Sequence, residues 1–261
     1  MLKLIRLFAT LFSMSLRRQI TFRADLVFEL VLTVVGLAAS IAALGMIYTR
    51  TDTLGGWGPG EAIALLGTFQ IITGLRTAFV EPNLQWFGKQ VKEGTFDAIL
   101  TQPAPAIFLA SLNTCAPLAL GQVGLGAIVV AYGVHEASVS ITPAGVAAWL
   151  ALLVAATVIM WATRALLAAL VFWAPELTLD VVYDSVWQFA RYPVDIYQRP
   201  LRMLLTYVLP VAFLATVPAR VLLDTGQLVA VPVSIGLAIG SYLLAHLAWQ
   251  AGLRRYTSAT S

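Results

Sequence analysis

The chain has 261 residues, 59% of them hydrophobic and 11% charged, and carries a formal net charge of +3. Soluble domains hold about 25% charged and 45–50% apolar residues, so this composition excludes a globular surface that faces only water. Its mean hydropathy of +0.85 and pI near 9.2 instead describe a basic membrane domain. The long apolar runs leave no soluble stretch of domain size.

The basic residues gather at candidate span ends: Lys3, Arg6, Arg17, Arg18, Arg23, Lys89, Lys92, Arg254 and Arg255. That is a positive-inside pattern and argues against a nucleic-acid partner. Cys115 is the single cysteine and lies in an apolar run, while His135 and His246 stand far apart. No disulfide framework or metal cluster is expected from such a set.

Residues 1–22 place Lys3, Arg6, Thr10, Ser13 and Arg17 on one arc of a helical wheel, opposite Leu4, Ile5, Phe8, Leu11, Phe12 and Leu16. A basic amphipathic helix lying in the membrane interface is expected. A signal peptide is not, because Arg17 and Arg18 directly follow the apolar stretch and no small-residue cleavage site is present.

A helix needs about 20 mainly apolar residues to cross the hydrocarbon core. Leu26–Tyr48, Gly60–Val80, Ala106–Val134, Ala144–Trp173 and Ala230–Leu253 meet that test. Between the last two, Leu177–Ala190 alternates Val181, Val182, Val186 and Phe189 with Asp180, Asp184 and Gln188, which predicts a polar-faced fifth span. Leu201–Leu223 is apolar but carries Pro210 and Pro218, and it follows Pro193 and Pro200. Proline breaks helix ladders, so residues 193–223 read as a broken, re-entrant extracytoplasmic element. A cytoplasmic loop followed by an ordinary span stays open as the alternative for this stretch.

The expected fold is therefore all-α, with six transmembrane helices and both termini cytoplasmic. The positive-inside count supports that orientation, except that Arg191, Arg199, Arg202 and Arg220 then lie outside.

Charges at membrane depth usually face protein or water. Arg164 and Asp184 lie at compatible depths, roughly 13 and 10 Å from the cytoplasmic side at about 1.5 Å per residue, so they are placed to pair. Glu29 and Arg76 are placed likewise, each about one turn inside its span. A structural ion pair and a substrate-receiving cavity are both open readings of these charges. Gln70, Asn113, Thr114 and Gln122 suit interhelical hydrogen bonds, whereas Trp161, Trp173, Trp187 and Phe189 suit packing, interface anchoring or the lining of a path.

The connector Glu81–Pro105 carries the most functional information. Gln85–Glu93 suits a short helix ended by Gly94; Phe96, Ile99 and Leu100 supply an apolar face, and Pro103 and Pro105 stop the segment. Lys89, Lys92, Glu93 and Asp97 add charges that would orient a docked partner.

Val91-Lys-Glu-Gly-Thr-Phe-Asp-Ala-Ile-Leu-Thr-Gln-Pro103 resembles the loop between the second and third spans in permease subunits of type-2 ATP-binding-cassette exporters. Tyr192-Pro-Val-Asp-Ile-Tyr197, the prolines that follow it and the closing Arg255-Tyr-Thr-Ser-Ala259 resemble the same family.

The resemblance implies half of a translocation pathway for an amphipathic substrate such as a drug, lipid-like molecule or peptide. It implies a second, identical or related permease in a bacterial inner or plasma membrane, and two copies of a cytoplasmic ATPase that carry ATP and Mg. It makes residues 81–105 the ATPase-coupling segment, with Lys89, Lys92, Glu93, Gly94, Phe96, Asp97, Leu100 and Pro103 as its residues. No G-x-x-x-x-G-K-[ST] loop occurs in this chain, so no cofactor is expected on it. An ion-coupled secondary transporter is the alternative reading; its usual mark is an inverted repeat, and none is evident.

Overall fold

The computed structural model describes residues 2–21, 23–85, 87–174, 176, 179–224 and 227–260, in the side chains of all but residues 2, 21, 23–27, 29 and 257–260. In chain order the α-helices are α1 Leu2–Thr21, α2 Arg23–Tyr48, α3 Pro59–Leu75, α4 Glu81–Leu84, α5 Phe87–Lys92, α6 Asp97–Leu100 and α7 Ala106–Leu112. They continue with α8 Leu120–Glu136, α9 Pro143–Leu170, α10 Asp180–Gln188, α11 Arg199–Met203, α12 Thr216–Leu223 and α13 Ala230–Thr260. Among the described residues, 5 helical segments are long and apolar enough to cross a membrane: Leu30–Tyr48, Pro59–Lys92, Pro117–Glu136, Pro143–Leu170 and Ala230–Tyr256.

Two starts are set by local chemistry. Pro59 opens α3, and the Gly58 N–H donates to Glu61 Oε2 at 2.8 Å. Pro143 opens α9, and the Gly145 N–H donates to Thr142 Oγ1 at 3.0 Å. A proline at the first helical position loses nothing, because its N–H would have no partner there.

Helices α3 and α8 run antiparallel with their backbones in contact. A Cβ on Gly60 would lie 2.3 Å from Ala137 N, one on Gly67 2.6 Å from Val130 N, and one on Gly133 2.3 Å from Ala64 N. Glycines seven residues apart (60, 67 and 74 on α3, 126 and 133 on α8) therefore line the seam. In lipid, such close approach replaces the hydrophobic drive with dispersion contacts. Gly67→Ala is accordingly expected to cost about 1–3 kcal/mol by overpacking, read as a lower unfolding temperature in detergent; an unchanged temperature would mean that the helices stand further apart.

Helix α13 lies along α9, and α12 packs on both α9 and α3. Helix α2 touches the rest lightly, through Leu44 against Ala62 and Leu66, and leaves Val31, Leu32, Val34 and Val35 exposed.

The third expected span, Ala106–Val134, is not one helix. It breaks at 113–116 between α7 and a short turn at Pro117–Ala119 that leads into α8. The second span departs from regularity at the same level, with a wide π-type turn at Arg76–Val80 before α4. Pro82 explains the coincidence. It has no N–H for the carbonyl of Ala78, and the Ala116 N–H donates to that oxygen instead, at 2.8 Å.

The side chain of Asn83 completes the joint. Its amide donates to the carbonyls of Ser111 and Thr114 at 2.9 and 2.7 Å, and its oxygen accepts from the Thr114 N–H at 2.8 Å. Helix α1 closes the other side, where Ser15 Oγ accepts from Cys115 N–H and Gln19 Oε1 from Leu118 N–H, both at 3.1 Å. Phe8 and Phe12 of α1 also meet Phe79, with ring centroids 6.1 and 6.4 Å apart. Free backbone groups at membrane depth need such partners.

From Asp180 onward the expected fifth span is not a helix of spanning length; Leu177 and Thr178 lie outside the described residues. Helix α10 has 9 residues and a tight turn carries it to Arg191. At about 1.5 Å per residue, 9 residues rise roughly 13 Å, under half of the hydrocarbon core. Extended Tyr192 before Pro193 ends it. Beyond it, the chain is broken as its prolines predict. Pro200 lies in the first turn of α11, Pro210 separates a π-type turn (Leu204–Val208) from a tight one (Val211–Phe213), and Pro218 sits in the first turn of α12.

Candidate functional site: an elbow and a buried charge cluster

The connector expected at Glu81–Pro105 is helical almost from its start, because α4 and α5 prolong the second span. Gly94 ends α5 with φ +69°, a left-handed conformation that glycine adopts without penalty. The turn brings the Phe96 N–H to the Gln90 carbonyl at 3.2 Å. Helix α6 then leads back toward α7.

This elbow sorts the expected coupling residues into two groups. Lys89, Lys92, Glu93, Gly94, Asp97 and Pro103 are exposed. Lys92 Nζ lies 3.1 Å from Glu176 Oε2, Lys89 lies 3.7 Å from Glu93, and the Tyr256 hydroxyl donates to Asp97 Oδ1 at 2.8 Å.

Phe96 and Leu100 face the other way. Phe96 is 0% exposed and enclosed by Phe87, Phe172, Trp249 and Tyr256, at centroid distances of 5.0, 5.8, 6.2 and 5.6 Å. Leu100 packs beside this cluster at the edge of the core. The expectation that the Phe96 ring enters a partner's groove is therefore corrected: apolar attraction within the chain already buries it. The ring ties the elbow to the ends of α9 and α13 instead. Phe172 in turn lies over Gly252, where a Cβ would meet its ring at 2.3 Å. Phe87, Phe172 and Trp249 escaped the sequence reading, although each is an aromatic residue at a span end.

The second centre lies where the bundle holds its buried arginines. Arg164 on α9 is 5% exposed and Arg76 on the π-type turn is 6% exposed. Arg164 does not pair with Asp184, as depth alone suggested; it pairs with Asp180. Asp184 pairs with Arg76, which also lies 2.7 Å from Glu81 Oε1. Asp180 and Asp184 are one turn apart on the same face of α10, so each takes one arginine. Depth fixed the level of the partners, and the rotation of α10 chose between them. The side chain of Glu29, the other expected partner of Arg76, lies outside the described residues.

Aromatic rings complete this cluster. Both guanidiniums lie near the Tyr183 ring, at 5.0 Å for Arg76 and 5.1 Å for Arg164, and Arg76 lies 4.6 Å from the Trp187 ring. Such stacking stabilises a desolvated cation. The Trp187 indole donates to Thr73 Oγ1 at 3.3 Å, so it is a packing residue here. The side chains of Asp180 and Asp184 remain 39% and 44% exposed, and Val181 and Val182 beside them point outward. Higher in the same bundle, Gln70 bonds Gln122 at 3.3 Å across the α3–α8 seam, as expected.

At the opposite end, Pro193 leads into a tight turn at Val194–Ile196 that presents Asp195. The Trp57 indole donates to Asp195 Oδ2 at 3.0 Å, and Arg220 pairs with the same carboxylate while lying 5.0 Å from the Trp57 ring. The proline-rich stretch is thus held against the start of α3.

A family model described as ABC-2 family transporter protein matches residues 34–260, nearly the whole chain. No curated protein and no solved structure matches it.

Proposed function

Because the chain belongs to the ABC-2 family of transporter membrane proteins, we propose that it forms half of the translocation pathway of an ATP-driven exporter. Permeases of this family lack a nucleotide-binding domain and normally pair with an ATPase subunit. In the proposed complex, two copies of a cytoplasmic ATPase supply ATP and Mg, and a second permease supplies the other half of the path. The substrate is amphipathic, and both termini lie on the ATPase side in a bacterial inner or plasma membrane.

The observation that carries this reading is the elbow. An exposed charged rim (Lys89, Glu93 and Asp97) sits on a buried aromatic knot that joins the second span to the ends of α9 and α13. Force on the rim therefore reaches three spans through packed side chains, which transmit displacement because they do not compress. On α10, the half-exposed carboxylates and the outward valines fit the side that meets the path and the second permease.

The test uses the rim, because Lys89→Glu leaves the knot untouched and Asp97→Ala removes from it only the hydrogen bond of the Tyr256 hydroxyl. Lys89→Glu and Asp97→Ala are expected to reach the membrane normally. Both should lose co-purification with the ATPase and substrate-stimulated ATP hydrolysis about tenfold, the cost of one or two charged contacts at an interface. Unchanged co-purification and unchanged transport in both variants would reduce the elbow to a connector.

A further inference from the structure

At the end of the molecule opposite the elbow, α11, the tight turn at Val194–Ile196 and α12 enclose a cavity of about 470 Å³. Its charge is lopsided. Arg199, Arg202 and Arg220 line it, and Asp195 is the single carboxylate among its lining residues. Asp195 is already committed, because it takes Arg220 and the Trp57 indole directly and lies 3.9 Å from Arg202. Arg199 has no ion-pair partner among the described residues. Glu61 and Asp224 line an adjoining cavity of about 390 Å³ on the Trp57 side, which shares Asp195, Arg220 and Gln227 with the first; Arg199 and Arg202 line only the first.

The apolar surroundings are equally one-sided. Arg199 and Arg202 are three residues apart, on one face of α11. The end of α11 exposes Met203 and the turn that follows exposes Tyr207 and Val208, with Tyr207 79% exposed. The inner wall is formed by Val194, Ala212 and Val221. Two exposed guanidiniums thus sit at the rim of a cavity, Arg199 without an ion-pair partner among the described residues and Arg202 with a long contact to Asp195, next to an exposed apolar strip.

We propose that this cavity binds the anionic headgroup of a membrane amphiphile, with its phosphate held by Arg199 and Arg202 and its chain lying along Met203, Tyr207 and Val208. Guanidinium presents a planar fork of donors that matches phosphate or carboxylate oxygens in pairs. A headgroup without a tail would use the arginines and leave the apolar strip in water. A tail without a charge would leave the arginines unneutralised. The site rests on its own geometry and stands apart from the transport reading.

The test takes the full chain reconstituted in phosphatidylcholine nanodiscs and titrates it with a short-chain phosphatidylglycerol by calorimetry. Saturable binding is expected, with no response to short-chain phosphatidylcholine. Arg199→Ala combined with Arg202→Ala should weaken binding about tenfold or more, the size of one or two lost charge-assisted hydrogen bonds. Neither arginine is buried, so this variant is expected to fold. The paired lysine variant, Arg199→Lys with Arg202→Lys, keeps both charges without the fork, so it should bind between the wild type and the alanine pair, and it serves as the folding control. Inorganic phosphate is the remaining arm: competition by it at equal concentration would assign the site to a free anion and overturn the amphiphile. Equal binding of the two lipids, or binding indifferent to both arginines, would overturn the site itself.

Discussion

Arg164→Ala is expected to destabilise the protein by about 3–5 kcal/mol, toward the lower end because its partner carboxylate is partly solvated. The side chain of Arg164 is 6% exposed and pairs with Asp180, whose side chain is 39% exposed. Removing the arginine strands that carboxylate beside a second one, Asp184, one turn away. Asp180→Asn in the Arg164→Ala background should therefore recover part of the loss. Asp184→Asn should not, because Asp184 serves Arg76. A double-mutant cycle on thermal unfolding in detergent measures this directly. Coupling of Arg164 to Asp184 instead of Asp180 would mean that α10 sits about one turn away from the described position.

Phe96→Ala should cost a similar amount, about 3–5 kcal/mol, as a large-to-small change in a packed interior. Four rings lie within 6.2 Å of Phe96, and none of them can follow a shrinking neighbour without leaving another. Phe96→Leu should restore much of the stability by refilling the volume. The measurement is thermal unfolding of the full chain in detergent, beside its yield in the membrane. Wild-type stability with lost ATPase association would show the ring to be a docking residue after all. The expected pattern is the reverse, with lowered stability preceding any loss of association. This separates the knot from the exposed rim, where Lys89 and Asp97 carry the docking test.

The joint at Pro82 and Asn83 shows why part of this arrangement is invisible in sequence. Pro82 advertises a missing donor, but it does not say that Ala116 will satisfy the orphaned Ala78 carbonyl. Nor does the apolar run Ala106–Val134 reveal its own break, because the groups that make broken backbone tolerable there, the Asn83 amide, Ser15, Gln19 and the Ala78 carbonyl, lie far away in the chain. Hydropathy averages over such a run, whereas hydrogen-bond satisfaction is decided one group at a time.

Other features were legible because they are local. Gly94 ends its helix as expected, since a left-handed residue after a short helix is a property of that turn alone. Pro193, Pro200, Pro210 and Pro218 break the stretch before α13 for the same reason. The seven-residue glycine spacing on α3 and α8 was also present to be read, and a close helix seam is what it meant.

By itself, then, the sequence determined the solvent of this protein, the apolar stretches that hold its five long helices, though not the sixth expected span, the elbow with its glycine stop, and the family whose pattern the chain follows. These depend on composition, on runs of about twenty residues and on single-residue backbone preferences. The tertiary structure alone decided that Phe96 points inward, that Arg164 takes Asp180 while Arg76 takes Asp184, and that the third span breaks where the second one bends. Each of those outcomes depends on how one helix is rotated against another, and rotation is set by the packing of side chains far apart in the chain.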